Sequence, residues 1–112
     1  MRKLLTLMLA TAILAALAAT AFAATRTVKV GDDYYVRPAG VPTVSVSRNT
    51  TVSWQFRGGA PHNVTVSSGP VKFRSTTKNS GSYRRKMTRR GTYTIYCTIH
   101  GASDQKMKLV VK

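Results

Sequence analysis

Val52-Ser53-Trp54-Gln55-Phe56 sets three large apolar residues at every second position with polar residues between them, and a period of two marks a strand with one face in a core and the other in solvent. Upstream, Val28/Val30 and Val44/Val46 repeat the pattern. Downstream, strands are expected at 62–67, at Val71 and Phe73, at 82–88, at 92–98 and at 105–111, where Met107, Leu109 and Val111 share a face. Turn residues punctuate them: Gly31-Asp32-Asp33, Pro38 to Pro42, Arg48-Asn49, Gly58-Gly59, Ser68-Gly69-Pro70, Asn79-Ser80-Gly81 and Gly91. The polar, cation-rich stretch from Lys72 to Arg90 leaves room for a loop or a single helical turn. Seven or eight short strands at this spacing predict an all-β domain, either a sandwich of two sheets or a small barrel.

Composition agrees. Residues 24–112 hold 12 Val, 12 Thr and 2 Ile against one Leu, four Ala and no Glu, which is poor material for helices and good material for strands. About a third of these residues are hydrophobic, enough for one small core and too few for two. Residues 1–23 are different. A positive start, Arg2-Lys3, precedes an apolar run from Leu4 to Leu17 broken only by Thr6 and Thr11, and Ala21-Phe22-Ala23 offers small residues where a signal peptidase cuts. The expected organisation is a signal peptide at 1–23 and one domain at 24–112, with cleavage after Ala23 and export to the periplasm or the exterior. An uncleaved membrane anchor is the alternative, because the apolar character runs close to the ~20 residues that span a bilayer.

Export makes the lone Cys97 conspicuous, since exported cysteines normally pair as disulfides. It belongs to a Cys-x-x-His pair with His100 before the loop 101–104, and the only other histidine, His62, stands 35 positions upstream after Pro61. Singly, each is unremarkable: a histidine near a turn is usually surface, and a buried cysteine is usually a small hydrophobe. Together they offer one thiolate and two imidazoles at junctions of strands and loops. A structural zinc site prefers four firm ligands, commonly with two or more cysteines. A Cys-His nucleophile needs a cleft and a third, orienting group. A trigonal His2Cys set with one weak axial donor suits copper, the thiolate favouring Cu(I) and the imidazoles accepting Cu(II).

The stretches Ala60-Pro61-His62-Asn63-Val64 and Gly91-Thr92-Tyr93-Thr94-Ile95-Tyr96-Cys97-Thr98-Ile99-His100, followed by 106–111, resemble the cupredoxins, especially the plastocyanin and amicyanin group. The resemblance covers nearly all of 25–112. It implies a Greek-key β-sandwich with one copper ion near one end, held by His62, Cys97 and His100. It also implies that Asn63 ties the two ligand loops together by hydrogen bonds towards Thr98, orienting ligands rather than binding metal. The axial position departs from the usual pattern. A methionine is expected five residues after the second histidine, and Gln105 stands there, with Met107 two further on. Gln105 is the expected axial donor and Met107 the alternative, since both have the same strand parity. The function implied is transfer of single electrons between redox partners without transformation of a substrate. Copper buffering or delivery without redox cycling is the alternative.

Charge bears on partners. Residues 24–112 carry 16 Lys and Arg against 3 Asp, a net +13, with Arg84, Arg85, Lys86, Arg89 and Arg90 close together. An acidic redox partner is expected, steered by that charge to what is expected to be a monomer. Nucleic acid is not expected, because no interleaved aromatic motif accompanies the cations and export removes the opportunity. Anionic envelope polymers or membrane headgroups are expected only as incidental contacts, and like charges on a solvated edge also deter strand-to-strand aggregation.

Overall fold

The computed structural model describes residues 24–112, so the signal-peptide and anchor readings fall outside the described residues. Eight strands form: β1 (Thr25–Gly31), β2 (Tyr34–Tyr35), β3 (Thr43–Val46), β4 (Thr51–Phe56), β5 (Thr65–Ser68), β6 (Ser82–Lys86), β7 (Gly91–Tyr96) and β8 (Lys106–Val111). They make two four-stranded sheets, ordered β2-β1-β4-β6 and β3-β8-β7-β5. β1 runs parallel to β4, and β3 parallel to β8. The remaining pairs are antiparallel. The protein is an all-β sandwich.

Alternation does its work between the sheets. Val28 and Val30 from β1 and Val52, Trp54 and Phe56 from β4 close one wall of the core, while Tyr93, Ile95, Met107, Leu109 and Val111 from β7 and β8 close the other. Full burial of such side chains stabilises by about 1.5–3 kcal/mol each. Trp54 packs against Phe73 and Tyr83, with centroids 6.1 and 5.8 Å away, and its indole N–H is buried without a hydrogen-bond partner.

Several boundaries differ from the sequence reading. The strand expected from His62 begins at Thr65, because the backbone before it bonds to the irregular stretch 75–78: His62 and Lys78 exchange two backbone bonds of 2.9 and 2.8 Å, Ser75 N donates to Val64 O at 2.8 Å, and the Ser75 hydroxyl accepts from Val64 N at 2.9 Å. Val71 and Phe73 form no strand. Phe73 is buried in the core beside a single bridge between Thr65 and Arg74. The stretch 72–81 contains no helical turn. Tyr34–Tyr35, too short to show alternation, pairs with the end of β1.

Strand directions give the sandwich two distinct ends. β1, β4 and β7 finish, and β3, β6 and β8 start, at the same end, where the loops bearing His62, Cys97 and His100 gather. At the other end lie the chain entry at Ala24, the 47–50 turn, the 87–90 turn and Lys112. There Thr51 N donates to Ala24 O at 3.0 Å, Asn49 N to Met87 O at 2.7 Å and Arg48 N to Lys112 O at 2.9 Å.

Candidate metal centre

The β7–β8 connection sets two of the residues in place. Cys97 N donates to Gln105 O at 3.2 Å, carrying the ladder one rung beyond β7 and putting both side chains on the inward face. The loop then closes on itself, with Gly101 N bonded to Cys97 O at 2.9 Å and Gln105 N to Gly101 O at 3.0 Å. Gly101 has φ 84°, a left-handed conformation in which a residue without Cβ is favoured. This turn brings His100 back over Cys97, with Nδ1 at 3.5 Å from Sγ.

His62 arrives from the other loop. Its ring is fully buried and lies 4.7 Å from that of His100, centroid to centroid. One ligand atom from each of His62, Cys97 and His100 lies within 4.8 Å of the others. His62 Nδ1 is 2.9 Å from Gln105 Oε1. The Gln105 amide cannot turn freely, because its Nε2 donates to Gly31 O at 3.1 Å and Tyr34 O at 2.9 Å. Its oxygen is therefore held towards His62. Met107, also fully buried, pairs with Ile95 one step further into the core.

Asn63 links the two loops. Its Nδ2 donates to Thr98 Oγ1 at 2.7 Å, and its Oδ1 accepts from Thr98 N at 3.1 Å and from the Thr65 hydroxyl at 2.8 Å. Its backbone oxygen accepts from the Tyr35 hydroxyl at 2.6 Å. Burial, with a smaller contribution from Cys97, holds the Tyr35 phenol well above its ordinary range, so it stays a neutral donor.

Two residues that the sequence reading treated only as turn formers bear on the site. Asp32 Oδ1 lies 2.9 Å from His62 Nε2, and Asp33 Oδ1 lies 3.6 Å from His100 Nε2. Consecutive carboxylates from the β1–β2 turn thus face the outer nitrogens of both histidines, leaving the two Nδ1 atoms for the interior. Asp32 also accepts from Gly59 N at 3.1 Å and Ala60 N at 3.0 Å. Its bond to His62, then those from Ala60 and Gly59, bring its pKa down to about 2 from 3.8. A Cβ on Gly58 would collide with Asp32 Oδ1 and stand 2.9 Å from His62 Nε2, so this approach requires glycine. The only sequence signal was indirect: two of the chain's three acidic residues are adjacent in one turn.

The donor chemistry fits a single copper ion. One soft thiolate and two imidazole nitrogens converge in a buried space beside a fixed amide oxygen, a set that serves both copper oxidation states. The fold and this cluster define a cupredoxin-like protein. Among solved structures, an oxidised proline-to-glycine variant of amicyanin is 29% identical, the match covering 81% of this chain and 90% of that one at a TM-score of 0.64. A methionine-to-glutamine variant of amicyanin with Cu(I) is 28% identical over 81% of this chain and 90% of its own, at 0.66. The Cu(I) form of a methionine-to-alanine variant is 29% identical over 85% and 88%, at 0.65. No protein-family profile matches the chain. Among the described residues no helix is long and apolar enough to cross a membrane.

Proposed function

We propose that this chain is an exported blue copper protein that carries single electrons between redox partners, with His62, Cys97 and His100 as its strong ligands and Gln105 as its axial donor. The observation that carries the reading is the convergence of one buried thiol and two imidazoles beside an amide oxygen already aimed by two backbone carbonyls. Copper bound there supplies a one-electron couple. The residues around it supply rigidity: Asn63 clamps one loop to the other, Asp32 and Asp33 brace the two rings from outside, and the Gln105 amide needs no rearrangement to present its oxygen. A site that changes little between oxidation states exchanges electrons with little reorganisation. The same bracing works against easy release, which favours electron transfer over copper delivery, and no substrate is transformed.

His100 is the exit. Its side chain is 21% exposed whereas that of His62 is fully buried, and Ile99, 49% exposed, stands next to it with Gly101 and Ala102. A small apolar rim around a partly exposed ligand is suited to brief docking. The acidic character proposed for the partner rests on the net +13 of residues 24–112; this end itself mixes exposed Arg57 and Arg74 and half-buried Lys78 with Asp32, Asp33 and Asp104. Gln105 is preferred over Met107 because Gln105 lies across from Cys97 while Met107 lies across from Ile95. Met107 is then core packing.

The test is the absorption and EPR spectrum of the protein with Cu(II). Intense visible thiolate-to-copper charge transfer is expected, and it should vanish in Cys97→Ser, where the soft sulfur donor is gone. A colourless Cu(II) protein would sink the proposal.

A further inference from the structure

All three acidic residues, Asp32, Asp33 and Asp104, belong to loops at the metal end. The opposite end has none among the described residues. Instead Arg26, Arg48, Lys86, Arg89, Arg90 and Lys112 are all exposed there. Their positions are set by the fold rather than by flexible tails: the backbone bonds that join Arg48 to Lys112, Asn49 to Met87 and Thr51 to Ala24 draw two turns, the chain entry and Lys112 into one surface. Arg85 is not part of it, since its guanidinium stacks on Phe73 at 4.5 Å from the ring centroid. The basic cluster seen in the sequence is thus divided, and most of it lies a strand length, roughly 20 Å, from the candidate copper site. Charge at that distance adds to long-range steering but does not line the rim around His100.

We propose that this pole is a docking surface for an anionic lipid bilayer, which holds the sandwich with its metal end turned away from the membrane. Two features select a bilayer over other polyanions. Several cations on one face, with no Asp or Glu beside them among the described residues, match the negative potential of anionic headgroups, at about 1 kcal/mol per Lys or Arg near the surface. The apolar run from Leu4 to Leu17 joins the sandwich through Ala24, and Ala24 is at this pole. A bilayer that held that run, during export or after it, would meet the sandwich first at its basic end. Binding to lipid needs no metal. Only the value of the orientation, which leaves the His100 rim free for a partner, rests on the function proposed above.

The experiment uses metal-free protein beginning at Ala24, so its outcome is independent of whether copper binds. Sedimentation with vesicles of one part phosphatidylglycerol to two parts phosphatidylcholine should show binding that salt weakens, with none to phosphatidylcholine alone. Replacing the pole's charges together, Arg48→Gln, Lys86→Gln, Arg89→Gln and Arg90→Gln, should weaken binding several hundredfold, about fivefold per cation. Removing Arg57, Arg74 and Lys78 as glutamines from the other end should change it by less than tenfold. On vesicles containing a gadolinium-chelating lipid, amide signals of Arg90 and Lys112 should broaden before those of Gly101 and Ala102. Binding that follows net charge regardless of position, broadening first at Gly101, or binding to soluble dextran sulfate but not to the vesicles would each overturn the proposal.

Discussion

Asn63→Ala should be among the most damaging changes that leave every candidate ligand in place. Asn63 is fully buried and its side chain takes part in three hydrogen bonds, two with Thr98 and one with Thr65. At about 1 kcal/mol net for each bond, and with the Thr98 N–H losing its acceptor, the loss is about 3 kcal/mol, within roughly 2–5. For a domain of this size that lowers Tm by about 12–24 °C. Thr98→Val removes only the bonds to its hydroxyl and should lose about 1 kcal/mol. Urea unfolding of both metal-free variants measures the difference, with m unchanged if only stability has altered. Because Asn63 follows His62 and Thr98 follows Cys97, Asn63→Ala should also release Cu(II) to a chelator faster than Thr98→Val. If Asn63→Ala is no less stable than Thr98→Val, the clamp does not hold the two loops together and the reasoning fails.

The axial donor is tested by Gln105→Met, which exchanges a hard oxygen for a soft sulfur and should raise the reduction potential while keeping the blue colour; Met107→Leu should leave the potential unchanged and cost under about 1.5 kcal/mol. Reversal of those two potentials in voltammetry would transfer the role to Met107. Asp32 gives an acid limb: its folded pKa of about 2 is below the ordinary 3.8, so its contribution to stability is complete above pH ~4 and is lost as pH falls towards 2. Comparing the pH dependence of unfolding in the protein and in Asp32→Asn checks this, the variant's profile being flatter in that window.

The strands with clear alternation, β1, β3, β4, β7 and β8, were legible because a period of two is a local property. Tyr34–Tyr35 was not, since two residues contain no period. Val71 and Phe73 misled for the opposite reason: Phe73 is buried by its aromatic neighbours without a ladder. At the site, residue type and spacing singled out His62, Cys97 and His100, which the fold brings together. Asp32 and Asp33 were passed over because turn chemistry explained them locally, while the histidines they face are 30 and 67 positions away in sequence. Parity could not separate Gln105 from Met107, as both point inward; their depth depends on which residue of β7 lies opposite, and that emerges only from the assembled sheet.

The Gln105 amide also ties together segments far apart in the chain. Its bonds to Gly31 O and Tyr34 O span 74 and 71 residues, and the parallel pairing of β3 with β8 joins Thr43 to Lys108. Closing such long loops is entropically unfavourable until neighbouring contacts form, and topologies dominated by them fold in milliseconds to seconds. Because Gln105 stands 43 positions after His62, a segment that holds His62 alone lacks the rest of its cluster. His62, Cys97, His100 and Gln105 become neighbours only when these distant segments pair, so a chain whose sheets have not yet closed has no finished pocket with which to capture the wrong ion.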